Sequence, residues 1–252
     1  MDYSWVLPAF FATGLAAGFV DSIAGGGGLL TLPVFLSVGL PPQDALATNK
    51  LQAIFGSASA SWHYGKAGLI DFSAARLAVA FTVIGALAGT VLVLFVSQEW
   101  LRRCIPFLLA AVALYVLFRP TFGESDHEPR MPLSTFSILF GLSLGFYDGF
   151  FGPGTGSLWA LVYTAYMGFN LTRATAHTKL VNFASNVGSL AVFLFSGKIW
   201  FLAGITMGFG QLLGARLGSH AVIKRGTRII RPVFILVVLA ITAKLIWENF
   251  RS

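Results

Sequence analysis

The sequence predicts an all-α polytopic membrane protein with about eight transmembrane helices and two shorter half-helix or re-entrant segments. Three observations carry that expectation. First, 56% of the 252 residues are hydrophobic, 11% are charged and the mean hydropathy is +0.77, whereas about a quarter of the residues of a soluble domain carry charge. The 24 Phe residues also exclude a disordered chain, which is poor in apolar groups. Second, apolar runs of about 20 residues, enough to cross the hydrocarbon core at roughly 1.5 Å per residue, follow one another along the chain. Third, the two halves repeat one another.

The runs long enough to cross are 5–24, 45–64, 74–96, 101–118, 133–151, 174–196, 199–221 and 230–249. Met1-Asp2-Tyr3-Ser4 leads into the first without a basic region, so that run is expected to be a retained span rather than a cleaved signal. Two more runs, 29–39 and 156–168, are too short to cross, and each follows a glycine-rich stretch. Non-helical backbone at membrane depth survives only where protein or a wet cavity satisfies it.

In the repeat, Gly18-Phe19-Val20-Asp21 aligns with Gly145-Phe146-Tyr147-Asp148, and Gly25 to Gly28 align with Gly152-Pro153-Gly154-Thr155. Ala47-Thr48-Asn49-Lys50-Leu51 matches Ala176-His177-Thr178-Lys179-Leu180, and Gly65-Lys66 falls opposite Gly197-Lys198. Gly85-x3-Gly89 corresponds to Gly210-x3-Gly214-x3-Gly218, a spacing suited to close helix crossings. Four matches in order point to a duplication, with a first membrane repeat over 1–118, a charged linker over 119–132 and a second repeat over 133–252.

Charge placement bears on topology. If each short segment completes a pass, each repeat has five passes and the repeats are inverted; if it turns back, each has four and they are parallel. The inverted arrangement puts ten loop Lys and Arg on one side and five on the other, the parallel one eight and seven. The positive-inside rule favours inversion, and both arrangements leave the termini outside the cytoplasm. The excess of 17 Lys and Arg over 10 Asp and Glu thus reads as a topology signal, and no nucleic-acid partner is expected. The lone Cys104 forms no internal disulfide, and His63, His127 and His220 lack ligand-spaced partners, so neither metal nor other cofactor is expected.

Four charged residues fall at membrane depth: Asp21, Lys50, Asp148 and Lys179. Each unpaired charge there costs about 2.5–3.5 kcal/mol even on the lenient insertion scale. They are expected to face each other or a protein-lined cavity. Helical steps from Lys50 reach Ser57 and Ser61, and steps from Lys179 reach Asn182 and Asn186. Asn49 and Gln52 lie on a neighbouring stripe, and His177 and Thr178 precede Lys179. Interhelical hydrogen bonding is the plainer explanation of such polarity, but a lysine in each copy exceeds what it requires.

The glycine stretches let amides approach a ligand, and the helix start after each offers free N–H groups to an anion. Gly26, Gly27 and Gly28 on one side and Gly154, Thr155 and Gly156 on the other, with Lys50, Lys179, Asn49, Thr178, His177, Asn182, Asn186 and Ser57, make up the expected substrate site. A flexible connection or close packing is the alternative. Asp21 and Asp148, on the last turns before the loops, have three readings: pairing with the lysines, holding loop amides, or binding a proton. Two other functions stay open, an intramembrane aspartyl protease using Asp21 and Asp148 and a non-transporting scaffold. No G-x4-G-K-[ST] phosphate loop follows either glycine run, so direct ATP drive is not expected.

Gly18-Phe-Val-Asp-Ser-Ile-Ala-Gly-Gly-Gly-Gly28, Leu32-Pro33, Ala47-Thr-Asn-Lys50, Gly152-Pro-Gly-Thr-Gly156 and His177-Thr-Lys179-Leu together resemble the sulfite exporter TauE/SafE family, also called the 4-toluene sulfonate uptake permease family. The resemblance runs over roughly residues 8–248. It implies a small permease of the bacterial inner membrane carrying sulfite, thiosulfate or organosulfonates, with protons as a candidate second solute and a homo-oligomer left open. Pro153 and Thr155 stand where the first loop has glycines, so the two loops are not expected to contribute equally.

Overall fold

A computed structural model describes residues 3–117 and 125–226 as nine helices without strands among them. They are α1 Tyr3–Ala24, α2 Gly27–Ser37, α3 Pro42–Lys66, α4 Phe72–Phe95, α5 Gln98–Leu117, α6 Leu133–Phe150, α7 Thr155–Met167, α8 Leu171–Ser196 and α9 Phe201–Arg225. The expected span 230–249, Phe118 at the end of the expected span 101–118 and linker residues 119–124 lie outside the described residues. Lengths of 22, 11, 25 and 24 residues in α1–α4 recur as 18, 13, 26 and 25 in α6–α9.

Among the described helices, four are long and apolar enough to cross a membrane by length and composition: α1 from Trp5, α4, α6 and α8. At 25 residues, α3 and α9 have the length to cross as well. The low hydropathy of α3 comes from polar residues turned inward, with Gln43, Asn49, Lys50, Gln52, Ser57 and Ser61 all buried. The multi-pass expectation thus holds, while the count of eight spans rests partly on residues outside the described ones.

Local chemistry sets the ends. Pro41 and Pro42 open α3, where proline's missing N–H costs no helical bond. Asp71 and Asn170 cap α4 and α8, their side chains each accepting a backbone N–H three residues on, from Ala74 and Arg173 at 3.0 Å. The Ala74 amide holds the exposed Asp71 carboxyl below the usual carboxylate range. Gly168 and Gly197 end α7 and α8 in the left-handed conformation that glycine adopts without strain.

Glycine faces decide how the helices pack. Gly14, Gly18, Gly210, Gly214 and Gly218 bring α1 and α9 together backbone to backbone: a Cβ on Gly14 would strike Met207, and one on Gly18 would strike Gln211. Gly85, Gly89, Gly141, Gly145 and Gly149 do the same for α4 and α6. Contacts advance together along both partners, from Phe11–Gly210 to Leu15–Gly214 and from Gly145–Thr82 to Gly149–Ala86, so each pair runs in one direction. The third helix also runs with α9, through Leu51–Gly204, Phe55–Gly208 and a bond from Ser59 Oγ to Leu212 O at 3.0 Å. In membranes such close approach supplies the packing that hydrophobicity cannot. The polar faces of α3 and α8 meet behind these pairs.

Gly145→Val should therefore destabilise the purified protein by about 1–3 kcal/mol or more of overpacking and lower its melting temperature, because its Cβ meets Thr82 backbone. Gly188→Ala, whose nearest contact is Val83 Cγ1 at 3.4 Å, should melt near wild type. Equal melting of the two variants would mean that the glycine faces do not set the packing.

Candidate substrate site where two glycine loops meet

The C-terminal ends of α1 and α6 meet at the centre of the bundle because the loops that follow them touch. Gly25 has φ +72° and lies against Gly156, and Gly28 faces Pro153. A side chain on Gly25 would strike the Gly156 backbone, so the contact requires glycine as well as the turn does. Ser157 Oγ, at the start of α7, bonds Ala24 O at 3.0 Å and Gly25 O at 2.6 Å, while Tyr64 OH donates to Ser22 O at 2.7 Å. The last carbonyls of α1 are thus satisfied from α3 and α7, which holds the broken backbone at depth.

The four buried charges pair crosswise. Lys50 on α3 donates to Asp148 on α6, to Oδ1 at 2.7 Å and to the backbone O at 2.5 Å. Lys179 on α8 donates to Asp21 on α1, at Oδ2 and 3.1 Å. Removing one partner of a buried pair typically costs about 3–5 kcal/mol, because the other charge is stranded. Each pair joins the first half of the chain to the second.

Asp21 does more than pair. Its Oδ1 accepts the N–H groups of Gly26 and Gly27 at 3.1 Å each, across the N-terminus of α2. Two of the three sequence readings of Asp21 are therefore realised in one side chain. Asp148 is held differently, by Thr155 Oγ1 at 3.3 Å and by a short bond from Ser185 Oγ. The Asp21 carboxyl is 23% exposed and that of Asp148 6%.

A cavity of about 40 Å³ lies among these groups, room for roughly three waters. The third helix lines it with Asn49, Lys50, Gln52 and Ala53, and α8 with Asn182 and Asn186. Both aspartates line it, as do Gly26, Gly27 and Gly28 from one loop and Gly154, Thr155 and Gly156 from the other. Gly27, Gly28, Thr155 and Gly156 lie inside the first turns of α2 and α7, so helix starts rather than loops face the cavity. Gln52 Oε1 and Asn182 Oδ1 are buried without a hydrogen-bond partner among the described residues.

The remaining expected residues stand apart from that cavity. Lys179 is fully buried behind Asp21. Ser57 and Thr178 bond their own helices, at Ala53 O and Ala174 O. His177 Nδ1 lies 3.0 Å from Arg173 O and Nε2 accepts the Asp71 N–H at 3.1 Å, which fixes a neutral tautomer and ties α8 to the turn before α4. Conversely, Gln211 on α9 and Gly152 line the cavity although the expected site held neither, Gly152 being marked only as the first residue of its glycine stretch. The signal for Gln211 was present: a glutamine inside the Gly210-x3-Gly214 ladder has no lipid-facing role.

Comparison with known proteins identifies the family. The sequence model described as "Sulfite exporter TauE/SafE" matches residues 10–245. The chain is 43% identical to the "Probable membrane transporter protein YfcA" of Escherichia coli K12, over 97% of its own length and 91% of the relative's. It is 42% identical to the "Probable membrane transporter protein ORF9" of a Sinorhizobium species, covering 97% and 94%. It is 26% identical to the "Probable membrane transporter protein YunE" of Bacillus subtilis, covering 95% and 97%. No solved structure matches. By sequence over nearly its whole length, the chain belongs to the sulfite exporter TauE/SafE family and is a multi-pass membrane transporter.

Proposed function

We propose that this transporter is a secondary carrier of small sulfur-containing anions, such as sulfite, thiosulfate or organosulfonates, binding them in the cavity between the glycine loops. The observation that carries the reading is the pair of crossed lysine–aspartate bridges at that cavity. They join the two halves beside the starts of α2 and α7, at the repeat interface where alternating-access carriers bind solute. The family description supplies the sulfur oxyanion. Energy comes from a proton gradient or from the anion's own gradient.

Alternating access around this junction suits inverted repeats, and the helix directions support them. Both α1 and α3 run with α9; α3 reverses into α4 over 67–71; and α4 runs with α6. It follows that α6 runs against α1. The basic-residue bias then puts Lys66 and Arg76 in the cytoplasm and the termini in the periplasm of a bacterial inner membrane. A protease reading finds no support here, since each aspartate faces a lysine rather than the other aspartate, and the relatives are described as transporters.

Lys50→Ala and Asp148→Ala should each lower stability, by about 3–5 kcal/mol, and the double variant should recover much of that loss. All three should lose counterflow of sulfite and short sulfonates in proteoliposomes. Wild-type flux in a correctly inserted Lys50→Ala or Lys179→Ala protein would refute the site. In a Cys104→Ser background, an impermeant maleimide should label Lys66→Cys only from the cytoplasmic side and Lys198→Cys only from the periplasmic side. These positions correspond in the two repeats, and labelling from one side alone would make the repeats parallel.

A further inference from the structure

Asp21, Lys50 and Asp148 line the cavity and Lys179 backs it through its bridge to Asp21, and the four charges sum to zero. That balance constrains whatever enters. A monovalent anion added to the intact set leaves one uncompensated negative charge at membrane depth, which is costly wherever water does not reach. The anion also meets an occupied seat, because the positive end of α2 and the Lys179 ammonium are already taken by one carboxylate, Asp21.

We propose that the Asp21 carboxylate is a tethered stand-in for the substrate anion, and that the substrate displaces it only as the neutral acid, so that one proton is taken up with each negative charge bound. This rests on the proposed anion-carrier function and assigns its coupling group. Protonation of Asp21 releases the Gly26 and Gly27 amides and Lys179 together, the donor set an oxyanion needs. The acid's own O–H then needs an acceptor, and Asn182, whose buried Oδ1 has no partner among the described residues, lines the same cavity. Empty and loaded sites are both neutral, so the carrier reorients in either form without moving buried net charge.

Asp21 rather than Asp148 is assigned because the two are held unequally. Asp148 is bonded by Lys50, Thr155 and Ser185, and its backbone carbonyl also holds the Lys50 ammonium. Asp21 is the more exposed carboxylate and holds only groups that an incoming anion can hold in its place. The other helices around α1 add little charge. On α3 stand Lys50, already paired, and Tyr64, bonded to Ser22 O, with Asp44 in its first turn and His63 and Lys66 in its last; α8 adds to Lys179 only Arg173 in its first turn and His177, bonded to the Asp71 N–H; α2 has no titratable side chain; α7 has only Tyr163 and Tyr166. On α9, Arg216 and His220 are exposed and the residue lining the cavity is the uncharged Gln211.

The test uses ethanesulfonate, which stays monovalent across the range, and measures its affinity for the full-length protein in detergent by thermal shift from about pH 5 to pH 8. One proton taken up per anion makes affinity fall with rising pH, tenfold per pH unit at the full stoichiometry and so at most about 100-fold from pH 6 to pH 8. Asp21→Asn, which is permanently neutral, should bind with affinity that varies less than about twofold over that range. In weakly buffered solution, ethanesulfonate should draw one proton per anion onto the wild-type protein, a readout that needs no variant. Binding by wild type with a flat pH profile and no proton uptake overturns the coupling and leaves the carrier function standing, as does a slope that persists in Asp21→Asn. Absence of binding by ethanesulfonate, sulfite and thiosulfate at every pH overturns both.

Discussion

Charge neutrality at the centre of the bundle is the constraint on which the rest of the arrangement depends. Four ionisable side chains sit where a lone charge costs several kcal/mol, so each must find an opposite partner. Each finds it on the other half of the chain. The lysines stand on α3 and α8 and the aspartates they reach on α6 and α1. Satisfying the charges therefore forces the halves together, and the glycine loops, which allow the ends of α1 and α6 to touch, make that geometry attainable.

The close helix pairs serve the same end. With glycines on both faces, α1 lies on α9 and α4 on α6, so the outer helices of one half clasp the first helix of the other. This leaves the polar faces of α3 and α8 toward the centre, with Asn49, Gln52, Asn182 and Asn186 around one small cavity. Close packing by small residues and a wet, charged junction are two sides of one solution: the first supplies cohesion without a hydrophobic driving force, the second keeps polar groups out of lipid.

The halves are alike in plan and unlike in detail. Asp21 caps glycine amides, whereas Asp148 takes hydroxyls from Thr155 and Ser185. Thr155 replaces a glycine of the first loop, and its hydroxyl changes what the second aspartate holds. Gln211 enters the cavity from α9 where the corresponding residue of α4 is Ala86. Small departures from the repeat thus assign different tasks to matching positions.

Much of this was legible in the sequence. Apolar run lengths gave the helices to within a few residues, because burying backbone in lipid leaves little choice but helix. The repeated Asp, Gly, Asn and Lys marked the groups that line or back the cavity, because charge at that depth has to be accommodated. What one dimension could not contain was the pairing. Lys50 is nearer in sequence to Asp21 than to Asp148, yet it bonds Asp148, 98 residues away. His177 and Thr178 look equal to Asn182 along α8, and Ser57 shares the Lys50 face of α3, but only packing decides which side of a helix, and which turn along it, faces the cavity. Composition and periodicity determine which groups must be buried; the crossing of two half-chains determines which of them meet.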